Sequence, residues 1–214
     1  MKKLFFISGL GADEKAFSNL GDFGRTKVYI DWLPNHDNES LHSYAERLID
    51  IYGIQKGDLL VGLSFGGLIA QQIAEIVGLD TVILVSSFRT QNDLKMVFNK
   101  GLAYRLHKLI PNVKSDLIAN MVANFLNSGT NSSRAIIREM VQSTDMILMN
   151  WSIQKIYEQD TELAPNITKI NLIGTKDRIV RPWHNDSTHL IEGGSHFMVY
   201  EQAETISRII KKFV

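Results

Sequence analysis

The chain has 214 residues, enough for one domain, or one domain with an insertion, built around a large buried core. Lys plus Arg equals Asp plus Glu at 23 each, which argues against a general nucleic-acid binder. The absence of cysteine excludes a disulfide framework, a Cys-ligated zinc site and a Cys nucleophile.

Leu4 to Ser8 reads as a buried strand, apolar on both faces as in a parallel sheet covered by helices. The charged Met1-Lys2-Lys3 before it imitates a secretory signal. The apolar run is short, however, and Asp13 and Glu14 follow closely, so a cytoplasmic protein is expected. No stretch approaches the length of a transmembrane helix. The strand ends in Ser8-Gly9-Leu10-Gly11-Ala12, for which two readings compete. One is an oxyanion loop presenting the backbone N–H of Leu10. The other is a dinucleotide-binding turn, with Asp31 at the distance of a ribose-binding acid. The second is weakened by Asp13 and Glu14, whose carboxylates would repel a pyrophosphate where the fingerprint needs its third glycine.

Lys27 to Trp32 is a second strand, and Ser40 opens a helix to about Tyr52 whose buried face is Leu41, Tyr44, Ala45, Leu48 and Ile49. Leu59 to Leu63 is the third strand, Phe65 to Val77 a helix stopped by Gly78, and Thr81 to Ser86 the fourth strand. From Arg89 to about Asp160 the alternation stops. Asn92 to Ile110 reads as a helix capped by Asn92, Ser115 to Leu126 as a second, and a third is capped by Ser132 or Ser133. A shorter helix follows through Trp151 and Ile156. The division expected is a core of residues 1–88 and 161–214 with a helical cap at 89–160. Strands return at Lys169 to Gly174 and Thr188 to Ile191, and Glu201 to Phe213 is a closing helix.

The chemistry centres on Gly62-Leu63-Ser64-Phe65-Gly66, placed between a strand and a helix as a nucleophile elbow requires. A serine hydroxyl needs a base within hydrogen-bond reach and a carboxylate to orient that base. Such partners belong at the carboxyl ends of parallel strands. Asp177 follows the fifth strand and His196 the sixth, giving the order Ser, Asp, His. Of six histidines, His196 alone sits in a Gly-rich turn after a strand; His36, His42, His107, His184 and His189 read as structural or surface residues. Asp145 and Asp186 are the rival acids. His184 and His189 have a spacing that metals sometimes use, but no third ligand accompanies them. No metal or cofactor is expected.

Together the segments Phe6-Ile7-Ser8-Gly9-Leu10-Gly11, Gly62-Leu63-Ser64-Phe65-Gly66-Gly67, Gly174-Thr175-Lys176-Asp177-Arg178-Ile179-Val180 and Gly193-Gly194-Ser195-His196-Phe197 resemble the α/β-hydrolase superfamily, in its form with a helical cap. The resemblance implies an α/β fold with a trimmed, mostly parallel sheet of about six strands and helices on both faces, since Met1 stands only three residues before the oxyanion strand. It implies Ser64 as nucleophile, Asp177 as orienting acid, His196 as general base, and the backbone N–H groups of Leu10 and Phe65 as oxyanion donors. Ser8 stands where the family often has His.

The activity expected is hydrolysis of a small carboxylic ester or thioester through an acyl-enzyme. An amide, lactone or carbon–carbon bond hydrolase is the near alternative, and a non-catalytic ligand receptor the distant one. Haloalkane dehalogenation is disfavoured because it needs a carboxylate where Ser64 stands. Residues 89–150 hold eight Lys or Arg and four Asp or Glu. Lys95, Lys100, Arg105 and Lys108 fall on one predicted helix, either as a solvated basic face or as an attraction for an anionic substrate. Met96, Met121, Met140, Met146 and Met149 with Trp151 and Phe125 read as cap packing or an adaptable acyl pocket.

Overall fold

The computed structural model describes residues 2–95, 116–126 and 130–214. Six strands form one parallel sheet: β1 (Leu4–Ile7), β2 (Lys27–Ile30), β3 (Leu59–Leu63), β4 (Thr81–Val85), β5 (Thr168–Gly174) and β6 (Thr188–Ile191), in the order β2-β1-β3-β4-β5-β6. Helices α1 (Leu41–Tyr52), α2 (Phe65–Val77), α3 (Asp116–Leu126), α4 (Asn131–Ser143), α5 (Met146–Glu158), α6 (Met198–Glu201) and α7 (Ala203–Ile210), with 3-10 turns at Glu14–Phe17 and Gln91–Asp93, complete the described elements.

Successive residues of a strand point to opposite faces, and the two halves of the core follow that alternation. Phe5, Ile7, Leu60, Val82 and Leu84 pack under α1 and α2. Leu4, Phe6, Val61, Ile83 and Leu172 face the other side, where Phe17 and the Ile206, Ile209 and Ile210 stripe of α7 cover them. The strands read as near-continuous apolar runs because both faces are covered. Helix α1 is opened by Ser40, whose hydroxyl accepts from Ser43 N at 3.0 Å, and closed by Gly53 in the left-handed region.

The helical insertion leaves and rejoins the sheet at one place. Gln91 N donates to Gln159 O at 2.9 Å, and Arg89 lies 3.7 Å from Glu162. Helices α3 and α4 pack Ala123, Ile137 and Met140 against the core, while α5 lays Trp151 beside Tyr44 and Phe65.

Several expected boundaries move. Thr90, rather than Asn92, is the cap residue before the insertion; its hydroxyl accepts from Asn92 N, and Gln91–Asp93 is a short 3-10 turn. The remainder of the helix expected over 92–110 lies outside the described residues, as do Met96, Lys100, Arg105, His107 and Lys108. Thr130 caps α4 in place of Ser132 or Ser133, because Ser133 is buried and turns its hydroxyl to Glu201 Oε1 at 2.9 Å. The last helix is broken at Gln202, whose backbone leaves the helical region (φ −123°, ψ 38°) as its amide donates to Glu192 O. Helix α5, capped by Asp145, is as long as α4 rather than shorter.

Candidate active site

The strand order reverses between β1 and β3: the chain runs from β1 outward to β2 on one side and from β3 to β6 on the other. A parallel sheet opens a crevice at the carboxyl ends flanking such a switch. Here those ends carry Ser8-Gly9-Leu10-Gly11-Ala12 and the Ser64 turn.

Ser64 lies between β3 and α2 with φ 52° and ψ −120°, a conformation that costs a non-glycine residue about 1–3 kcal/mol. The chain must pass close to itself to make that turn. A Cβ on Gly62 would stand 2.4 Å from Gly67 Cα, and one on Gly66 would stand 2.2 Å from Ser8 O. Three further bonds hold the turn: Ser64 N donates to Val85 O at 3.0 Å, Gly67 N to Ser64 O at 2.9 Å, and the Ser87 hydroxyl to Ser64 O at 2.7 Å.

His196 Nε2 is 3.0 Å from Ser64 Oγ, and its Nδ1 is 2.9 Å and 3.1 Å from the two oxygens of Asp177. Asp177 is 1% exposed and His196 7%. Burial pushes the Asp177 carboxyl up, but the charge and hydrogen bond of His196, with the N–H groups of Val180 and Ile179, together outweigh it and hold the group below its ordinary range. The amides donate to Oδ1 at 3.0 Å and 2.8 Å. A carboxylate so held stays ionised and aligns the imidazole toward Ser64.

The β1 loop is closed by Ala12 N donating to Gly9 O at 3.0 Å, a turn that leaves the Leu10 N–H unused within it. Ser8 replaces the expected histidine with a specific tie. Its hydroxyl donates to Ala12 O at 2.7 Å and accepts from the Trp32 indole N–H at 2.9 Å. Trp32 in turn stacks on Phe65, ring centroids 5.6 Å apart. Phe65 is the first residue of α2, so its N–H has no intrahelical acceptor. Gly9 lies against Ser64: a Cβ there would be 3.2 Å from Ser64 Cβ. Ser64, His196, Asp177 and the backbone of Leu10 and Phe65 are thus gathered around one crevice.

The rival acids fall elsewhere. Asp145 caps α5 by accepting from Ile147 N and Leu148 N, and Asp186 is exposed. His184 is exposed and His189 packs on Phe213; among the described residues no group of three or more His, Asp or Glu is arranged to hold a metal ion.

Sequence reasoning missed the supports around the three side chains. Glu201 accepts from Ser195 Oγ at 2.6 Å and from Ser133 Oγ at 2.9 Å, tying the His196 turn to α4. Leu94 pairs with Val180, Lys95 N donates to Ile179 O at 2.7 Å, and the Lys95 amine donates to Asp177 O, so the start of the insertion braces the Asp177 loop. Arg89 holds Asp93 and lies over the Trp183 ring at 4.6 Å. Only the i, i+4 spacing of Arg89 and Asp93 was visible as a local signal. Apart from Ser195 and Glu201, six residues apart, the other supports join residues distant in the chain.

The insertion covers this crevice. Thr144 Oγ1 donates to Gly11 O at 3.3 Å, Arg178 donates to Asn124 O, and Phe197 N donates to Leu126 O at 3.1 Å. A cavity of about 290 Å³ lies between the Leu10 turn and helices α4 and α5. A larger groove beside Arg47 and Asp50 is lined by α1, the His36–Glu39 loop and Ile76 of α2, and not by Ser64.

Residues 4–209 match the family model described as "Alpha/beta hydrolase family". No curated protein matches the chain in sequence. Among solved structures, a hydrolase from Oleispira antarctica is similar over the whole chain and 90% of its own, at 16% identity and TM-score 0.74. The N-acyl homoserine lactonase AidH, complexed with N-butanoyl homoserine, is similar over 100% and 88% of the two chains at 15% identity and TM-score 0.74. A thermophilic esterase is similar over 100% and 89% at 19% identity and TM-score 0.70.

Proposed function

The chain belongs to the alpha/beta hydrolase family, and from that premise we propose that it is a serine hydrolase cleaving small carboxylic esters or thioesters. The observation that carries this reading is the unbroken line Asp177, His196, Ser64, with contacts of 2.9 Å and 3.0 Å.

In the proposed mechanism His196 Nε2 takes the Ser64 proton as Oγ attacks the substrate carbonyl carbon, and Asp177 stabilises the imidazolium that forms. The negative charge that develops on the carbonyl oxygen meets the N–H groups of Phe65 and Leu10. The first stands at the N-terminus of the thirteen-residue α2, where the helix dipole adds to its attraction. Collapse of the tetrahedral species breaks the bond to the leaving group, which takes the proton from His196. Water, activated by the same nitrogen, then releases the acyl group from Ser64.

A nucleophile of this kind attacks amides and lactones by the same first step, and the solved relatives include proteins described as an esterase and a lactonase. The ester reading is tested by hydrolysis of a short series of p-nitrophenyl acyl esters. Turnover with a burst of one equivalent, lost in Ser64→Ala, is expected; no turnover of any acyl ester by the native protein refutes it. No helix among the described residues is long and apolar enough to cross a membrane.

A further inference from the structure

The cavity beside the Leu10 turn has a lopsided chemistry. Asp13, Asp31 and Asp145 line it, and among the described residues no Lys or Arg does. Asp13 is partly neutralised by Lys15 at 3.3 Å; among the described residues neither Asp31 nor Asp145 is in an ion pair. The walls between these carboxylates are Trp32, Leu148 and Met149. Asp31 and Asp145 are exposed, so their charge reaches into solvent and draws a cation toward the cavity, where the apolar walls strengthen the attraction.

A second, independent feature points to a ligand there. Ser152, on α5, also lines the cavity; it is 1% exposed and its hydroxyl has no hydrogen-bond partner among the described residues. A serine inside a helix ordinarily returns its hydroxyl to the carbonyl four residues back. A buried hydroxyl left unpaired is costly, and a ligand group that pairs with it is favoured over one that does not.

We propose that this cavity receives a protonated amine, so that the favoured substrates are esters or thioesters carrying an ammonium group on one side of the scissile bond. The inference rests on the serine hydrolase reading. The ammonium N–H donates to the Ser152 hydroxyl, the carboxylates of Asp31 and Asp145 face its charge, and the carbon chain lies along Leu148 and Met149 toward Leu10. The cavity adjoins the crevice through that turn, since Leu10 and Gly11 line it and Gly9 packs on Ser64. The charge is opposite to that expected if the basic residues of the insertion drew an anionic substrate. Of those, Lys95 turns its amine to Asp177 O.

Isosteric thioesters test the inference, and released thiol is read without background because the chain has no cysteine. S-[2-(dimethylamino)ethyl] thioacetate is compared with S-(3-methylbutyl) thioacetate and with the anion 3-(acetylthio)propanoate. A second pair of methyl thioesters places the amine on the acyl side, 4-(dimethylamino)butanoyl against 5-methylhexanoyl. In at least one pair the cation should exceed its neutral isostere by about tenfold in kcat/KM, with the anion slowest. The ratio should fall as ionic strength rises and fall again in Asp31→Asn and in Asp145→Asn, where Asn keeps the helix cap. Ser152→Ala should lower the same ratio. Equal rates, or a neutral isostere ahead in both pairs, overturn the inference while fluorophosphonate labelling of Ser64 leaves the hydrolase reading standing. Absence of both labelling and turnover overturns the two together.

Discussion

The elbow is held from behind by β4, and the Gly67–Ser87 contact measures how tightly. A Cβ added at Gly67 would lie 2.1 Å from Ser87 Oγ and 2.6 Å from Ser87 Cβ, with the next neighbour, Gly62 O, at 3.2 Å. Ser87 cannot retreat freely, because its hydroxyl donates to Ser64 O at 2.7 Å. Gly67→Ala should therefore destabilise by about 2–3 kcal/mol, the upper part of the range for overpacking. That lowers Tm by about 4–12 °C for a chain of this size. Ser87→Gly alone loses a hydrogen bond and gains backbone entropy in the unfolded chain, about 1–2 kcal/mol in all. In the double variant the clash is gone, so its loss should fall short of the sum of the two single losses by at least about 1 kcal/mol, well outside additivity. Urea unfolding of the four proteins reads the cycle. Gly66→Ala supplies the control, since its Cβ would meet backbone at Ser8 O and Ile7 O, which no side-chain truncation relieves. Additivity within about 0.5 kcal/mol at Gly67 and Ser87 would refute the packing argument.

Further outcomes follow from the same contacts. Asp177→Asn should keep the fold but lower ester turnover by roughly 10³–10⁴-fold, because the amide no longer fixes the imidazole; unchanged kcat would remove Asp177 from the mechanism. Since the Asp177 carboxyl lies below its ordinary range in the folded protein, its stabilising share is complete above about pH 4 and fades as pH falls further. Midpoints against pH should thus decline more steeply for the native protein than for Asp177→Asn below about pH 4. Ser8→Ala releases the bonds to Ala12 O and Trp32, and kcat should drop about tenfold while Tm falls only about 2–4 °C. Trp151→Phe leaves Glu39 O without its indole donor, now at 2.9 Å, and should cost about 1–3 kcal/mol by urea titration.

The parallel sheet was legible because its strands are short apolar runs set between helices, as at Leu59–Leu63, which follows the capped amphipathic helix Leu41–Tyr52. The placement of Ser64, Asp177 and His196 at strand ends was legible for the same reason, since topology alone brings those ends together. Less legible were boundaries decided by tertiary contact. Thr130 was overlooked as a cap because Ser132 and Ser133 offer equally good local chemistry, and only the burial of Ser133 against Glu201 separates them. Gln202 interrupts the last helix without glycine or proline to mark it. Ser8 illustrates the limit most directly: its partner Trp32 is 24 residues away, and neither residue type alone announces a clasp on the loop.

The central claim is that Ser64 is an activated nucleophile, and a fluorophosphonate probe followed by peptide mapping tests it most directly. The native protein should be labelled stoichiometrically on Ser64, with labelling abolished in Ser64→Ala and in His196→Ala. A native protein that stays unlabelled, or a Ser64→Ala variant that still reacts, would contradict the account.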